Sequence, residues 1–140
     1  MGARLQDRVA IVTGAGRGLG RSVALLLASE GAAVVVNDLG TSVDGAGSSV
    51  SPADSVVREI RDAGGNAVPN HLSVAQFQSA GEIVQTAVDE FGRLDILCNA
   101  AGILRDRMVF NMTEEEWDTI LGVHLYGAFN MMRNSAPHMI

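Results

Sequence analysis

Residues 9–20, VAIVTGAGRGLG, restrict what this chain can fold into more than any other stretch. Val9, Ala10, Ile11 and Val12 form the short apolar run that a strand buried on both faces requires, and the glycines after Thr13 let the backbone turn tightly into a helix at about residue 18. A helix start carries unpaired N–H groups and a partial positive charge, and residues without Cβ let a pyrophosphate come close to them. Gly14, Gly18 and Gly20 give Thr-Gly-x-x-x-Gly-x-Gly, a spacing in which Arg17 and Leu19 interrupt the two commoner dinucleotide registers. No Gly-Lys-Ser/Thr follows, so the turn is not a P-loop. Taken alone, the motif reads either as a nucleotide turn or as an ordinary tight turn between strand and helix.

The sequence downstream favours the first reading. Leu19, Val23, Leu26 and Leu27 recur at helical spacing and Gly31 stands where that helix would end, after which Ala33–Val36 is a second buried strand closing on Asn37 and Asp38. Asp38 lies about 18 residues beyond Gly20, the distance at which dinucleotide folds place an acidic residue against the adenosine ribose hydroxyls; the alternative is a turn aspartate capping the next loop.

Residues 39–51 form a Gly/Ser-rich loop, and Ser51-Pro52 then opens a helix to about Ala63, closed by Gly64 and Gly65. Ala67-Val68 is a short third strand, and Pro69 marks it as an edge, in keeping with strand order 3-2-1. Ser73-x-x-Gln76 reads as a capping box before an apolar stripe of Phe77, Ala80, Val84, Ala87, Val88 and Phe91. Leu94–Cys98 is the fourth strand, followed by Asn99-Ala100-Ala101-Gly102, and Thr113-Glu114-Glu115-Glu116 is a capping box for a long final helix. The expected fold is α/β: a Rossmann-type doubly wound parallel sheet in strand order 3-2-1-4, one dinucleotide-binding domain over residues 1–140.

Composition narrows the function class. The 140 residues carry a net charge of −6 and ten scattered basic residues, all arginine, which argues against a nucleic-acid partner. Cys98 is the sole cysteine, so no internal disulfide forms, and it reads as a core filler in its strand. The amino terminus has no apolar h-region and no apolar run is long enough to cross a bilayer, so a cytoplasmic protein without membrane association is expected, and no metal site is.

TGAGRGLG, Asp38 after strand two, NAAG at Asn99 to Gly102, and Val123-His124-Leu125-x-Gly127 together resemble the short-chain dehydrogenase/reductase family across essentially the whole chain. NDLG at Asn37 to Gly40 and AGILRDR at Ala101 to Arg107 look most like the (3R)-hydroxyacyl-CoA dehydrogenase region of peroxisomal multifunctional enzymes and their bacterial relatives. The resemblance implies that Gly14, Gly18 and Gly20 surround the pyrophosphate, that Arg17 and Leu19 of the same turn also border the cofactor unless Arg17 is simply a solvated turn residue, that Asp38 holds the ribose, and that Asn99, Ala100, Ala101 and Gly102 end strand four beside the cofactor. Ser73 and Val74 stand where the family often has an Asp-Val pair touching adenine, so that contact is expected to be weaker here. A carboxylate at 38 favours NAD over NADP by accepting from ribose hydroxyls and repelling a 2′-phosphate, while Arg17 pulls the other way. His124 occupies the position of the family's tetrad asparagine and is either a hydrogen-bonded structural residue or a group holding water or backbone.

In the family a tyrosine moves the proton, a lysine one turn later lowers its pKa, and a serine orients the carbonyl. The one tyrosine, Tyr126, is followed four positions on by Asn130, and there is no lysine, so no catalytic residue is assigned. The chain is expected to stop inside a helix, before the fifth strand that would bring the serine. Two readings follow. One is the NAD-binding, amino-terminal part of a short-chain oxidoreductase, inactive alone, which in complete form transfers hydride between a nicotinamide cofactor and a hydroxy or carbonyl substrate such as a 3-hydroxyacyl-CoA and forms a homo-oligomer. The other is a non-catalytic dinucleotide-binding or interaction module.

Overall fold

A computed structural model describes residues 2–40 and 51–140; most of the predicted Gly/Ser loop, residues 41–50, lies outside them. The apolar runs become strands β1 (Val9–Thr13), β2 (Ala33–Asn37), β3 (Asn66–Asn70) and β4 (Ile96–Asn99). They form one parallel sheet in the order β3-β2-β1-β4, with Val12 level with Val36 on one side and Cys98 on the other. Pro69 sits on the edge strand, as its missing N–H demands, although β3 is longer than the two residues its sequence advertised. Among the described residues β4 pairs only with β1.

Alternate side chains of the two central strands feed opposite layers. Val12, Val34 and Val36 pack with α1 (Gly18–Ser29) and α2 (Pro52–Asp62) through Ala24, Ala28, Val56 and Ile60. Val9, Ile11 and Val35 face α3 (Phe77–Phe91) and α5 (Gly127–Met139) through Ile83, Val84, Ala87 and Met131. Both faces of β1 are therefore dry, which is why its sequence shows no polar alternation.

Three local expectations are corrected. The fully buried stripe of α1 is Gly20, Ala24 and Ala28; Val23 and Leu27 of the expected stripe pack partly buried against the core, while Leu19 and Leu26 are exposed, since small residues let the helix axis approach the sheet. Ser73 and Gln76 make no capping box, because Ser73 Oγ accepts from Ala75 N in a local turn and Gln76, the N-cap, gives no side-chain bond to the helix backbone. Phe77 accordingly lies half outside, its ring 6.5 Å from that of Phe129 on α5. The long final helix is not continuous. Its Thr113–Glu116 capping box forms as expected at the start of α4 (Glu114–Leu121), but Gly122–Tyr126 is a single π-helical turn before α5. Other signals hold: Ser51 Oγ caps α2 by accepting from Asp54 N at 3.2 Å, and Gly92 takes φ +80° at the end of α3.

Candidate functional site

The carboxyl ends of β1, β2 and β4 frame a cleft of about 290 Å³ whose walls include Gly14, Asp38, Ser73, Val74, Ala101 and Gly102. Two larger depressions, about 540 and 500 Å³, open at the opposite ends of the strands. In an open parallel sheet the carboxyl ends are where strands fan into loops that present backbone N–H groups and side chains to a ligand, so the smaller cleft is the chemically relevant one.

The glycines of the first turn divide the labour. Gly14, at φ +60°, is approached by backbone: a Cβ there would lie 2.7 Å from Ala101 Cα, so it lets the NAAG segment close on the turn. Gly20 faces the Gly14 carbonyl and lets α1 pack down on the turn. Gly18 alone of the three, at φ +56°, has nothing within 4 Å of where its Cβ would be, and so leaves the start of α1 open. No side chain caps that helix, whose N-cap is Arg17, and Arg17 and Leu19 are exposed at its mouth. Uncapped N–H groups beside open space are what a phosphate needs.

Gly16, which the spacing argument passed over, is the fourth glycine with a reason. Its N–H donates to Asp38 Oδ2 at 2.9 Å, and a Cβ there would meet both that carboxylate and Pro52. Gly40 N donates to Asp38 Oδ1 at 2.8 Å. Asp38 is thus a fixed acceptor at the end of β2, and each oxygen, with two acceptor directions, keeps one for a ligand hydroxyl. Behind it Asn37 is buried, donating from Nδ2 to Asn70 Oδ1 at 2.9 Å and to Leu72 O at 3.0 Å, which ties the exits of β2 and β3 together.

A second residue missed in the sequence is Thr13. Its buried hydroxyl accepts from Ala101 N at 3.1 Å and donates to Cys98 O at 3.5 Å, fixing the NAAG backbone to the end of β1. Asn99 ends β4 level with Thr13 and is exposed, with Ala100 and Ala101 turning back toward Gly14. Of the adenine-side pair, Ser73 and Val74 both line the cleft, but Val74 belongs to the core and its carbonyl accepts from the buried Asn130 Nδ2 at 3.0 Å. Cys98 is partly buried and burial pushes its thiol above the ordinary range, so it stays protonated and unreactive. Tyr126 is exposed on the π turn, and Asn130, four residues on, is committed to Val74. His124 lies beside Gly102 with Nε2 between the backbone O and N of Ile103.

The sequence profile of the short chain dehydrogenases matches residues 8–140. The chain is 54% identical over 134 residues to a putative short-chain type dehydrogenase/reductase of Mycobacterium tuberculosis, covering 96% of this chain and 47% of that protein. It is 52% identical over 137 residues to peroxisomal multifunctional enzyme type 2 of Mus musculus, covering 97% of this chain and 18% of that one. A crystal structure of a short chain dehydrogenase from Mycobacterium avium superposes with a TM-score of 0.88 at 52% identity, over 96% of this chain and 46% of that chain. The chain therefore spans about half the length of these relatives or less. None of its helices is long and apolar enough to cross a membrane among the described residues.

Proposed function

Since the chain belongs to the short-chain dehydrogenase family, matched over residues 8–140, we propose that the cleft at the strand ends is a cradle for NAD and that this is the chain's share of a hydride transfer. When bound, the cofactor supplies or accepts a hydride at its nicotinamide ring. The N–H groups at Gly18, Leu19 and Gly20 take the pyrophosphate, Asp38 takes the adenosine ribose, Ser73 and Val74 border the adenine, and Asn99 to Gly102 form the wall along the nicotinamide half. The observation that carries this reading is the pairing of an open, uncapped helix start at Gly18 with a carboxylate fixed by Gly16 and Gly40. Asp38 favours NAD over NADP because a 2′-phosphate would lie against its charge, and Arg17, exposed and without an ion pair among the described residues, swings free of that contest.

The substrate of the whole protein is a hydroxy or carbonyl compound, and a 3-hydroxyacyl-CoA agrees with the AGILRDR stretch. The sequence contains no lysine, and its one tyrosine has Asn130 where a pKa-lowering partner belongs, so these residues bind and orient the cofactor without moving the proton. That same observation supports a second reading, a non-catalytic dinucleotide-binding module. Cytoplasmic location and assembly of the complete enzyme into a homo-oligomer belong to the proposal as well.

Calorimetric titration with NAD⁺, NADP⁺ and S-adenosylmethionine tests it. Binding of NAD⁺ at least tenfold tighter than NADP⁺ is expected; preference for NADP⁺, or binding of S-adenosylmethionine alone, refutes it. Turnover of a hydroxyacyl-CoA by a preparation of verified mass would refute the assignment of binding without catalysis.

A further inference from the structure

His71 follows directly on β3, at the carboxyl end of the sheet, and its ring reaches across to the start of α2. Its Nε2 lies 3.0 Å from Ser51 Oγ and 3.5 Å from Asp54 Oδ1. The Ser51 hydroxyl has one proton and two lone pairs, and each has a partner. The proton goes to Asp54 Oδ2 at 2.7 Å, since an ionised carboxylate only accepts. One lone pair takes the Asp54 N–H at 3.2 Å, the bond that caps α2. The other faces His71, so Nε2 is a protonated ring nitrogen and donates to Ser51 Oγ.

Both ends of this bond lead to walls of the cleft. On the β3 side, Leu72, Ser73 and Val74 line it immediately after His71. Asn70 Oδ1 accepts from Leu72 N at 3.0 Å and from Asn37 Nδ2 at 2.9 Å, so the residues flanking His71 are pinned to the end of β2. On the α2 side, Ser51 precedes Pro52, and a Cβ on Gly16 would lie 2.5 Å from Pro52 Cβ and 2.6 Å from Asp38 Oδ2. Pro52 therefore backs the carboxylate that Gly16 holds. It is not a chain neighbour of Asp38, so non-covalent contacts at the start of α2 decide where it stands.

We propose that His71 is a positioning residue whose bond to Ser51 ties the exit of β3 to the start of α2, and so fixes the spacing between the Leu72–Val74 wall and the Asp38 carboxylate at the adenosine end of the cleft; this rests on the cleft being the dinucleotide site. Without the bond each wall keeps its own contacts but loses the one that couples them. A ligand that touches both must then order them as it binds, and its affinity falls. His71 is exposed and belongs to neither core layer, so replacing it opens no cavity.

His71→Phe keeps a ring and removes the donor, while His71→Gln keeps an N–H donor on a longer, unbranched stem. Calorimetry with NAD⁺ and NMR titration with 5′-AMP read the affinity, and amide hydrogen exchange at Asp54 and Leu72 reads the tie without any ligand. H71F is expected to weaken NAD⁺ and 5′-AMP alike, about three- to tenfold, and to speed exchange at both amides by a similar factor. H71Q is expected to stay within about twofold of wild type in every measurement. An H71F chain that exchanges faster yet binds both ligands as wild type does makes the contact merely structural and overturns the proposal. So does a loss of NAD⁺ affinity with 5′-AMP unchanged, which moves the effect away from the adenosine end, or an H71Q chain as weak as H71F, which removes the hydrogen bond from the explanation. Unaltered exchange at both amides in H71F overturns it as well. A wild-type chain that binds neither ligand while exchange at Asp54 and Leu72 answers to H71F sinks the dinucleotide reading and leaves the tie between β3 and α2 standing.

Discussion

Replacing Thr13 by valine tests whether the cleft wall hangs on one hydroxyl. The change exchanges Oγ1 for a methyl of similar size at a position 1% exposed, so no cavity opens and no clash arises. Two contacts are lost. The 3.1 Å bond from Ala101 N is the real one; the bond to Cys98 O, at 3.5 Å, is weak, and that carbonyl keeps the Ala100 N–H at 3.2 Å. A part-buried amide donor left without a partner costs about 1–3 kcal/mol at most, and burying a methyl in place of a hydroxyl returns about 0.8 kcal/mol, so T13V should lose up to about 2 kcal/mol. Thr13→Ser keeps the hydroxyl and should lose only about 0.8 kcal/mol, the value of the missing methyl. Urea unfolding followed by circular dichroism measures both, and an unchanged m-value shows that the compactness of the two end states has not altered. NAD⁺ affinity should fall several-fold in T13V and hold in T13S. If T13V proves as stable as wild type while T13S is the weaker of the two, the hydroxyl is not what fixes Ala101, and the account of the wall is wrong.

Two further outcomes are expected. Gly18→Ala should cost about 1–2 kcal/mol of stability, the cost of a Cβ at φ +56°, yet abolish measurable NAD⁺ binding because the methyl projects into the open space at the helix start; tight binding by G18A would mean that the pyrophosphate lies elsewhere. At the other end of the sheet the Arg93 guanidinium, helped by Val9 N, holds the Asp95 carboxyl below its ordinary range. The folded chain therefore binds that proton less readily than the unfolded one, so the contribution is present above the ordinary carboxylate pKa of about 3.9 and disappears as pH falls through the lower folded value. Asp95→Asn should be about 1 kcal/mol less stable at pH 7, with the gap closing as pH falls below about 3.9; a gap independent of pH would show that the charge is irrelevant.

The parts of this fold written legibly in the sequence are those in which each residue answers to its nearest neighbours. Pro69 announces an edge, Ser51-Pro52 and Thr113–Glu116 announce helix starts, and the runs at 9–12 and 33–36 announce strands dry on both faces, in keeping with the observed strand order 3-2-1-4. What stayed hidden depends on partners far along the chain. Leu19 and Leu26 have the period of a core stripe, but the closeness of Gly20 to the Gly14 carbonyl sets the space under α1, and its fully buried positions are the small ones, Gly20, Ala24 and Ala28. Thr13 and Gly16 carry no local signature, since one answers to Ala101 and the other to Asp38. The π turn likewise adds a residue to an otherwise regular helical pattern, and the period of the apolar residues around it does not register the addition.

The bond between Thr13 and Ala101 joins residues 88 positions apart. A contact of that separation requires the intervening chain to have closed, so the wall of the cleft can form only with the β1–β4 pairing that brings the two segments together. A dinucleotide bound there recognises a nearly finished sheet and gains nothing from the transition state that precedes it. Ligand should accordingly slow unfolding while leaving the folding rate untouched, which makes the cofactor a brake on loss of structure and not a guide to its acquisition.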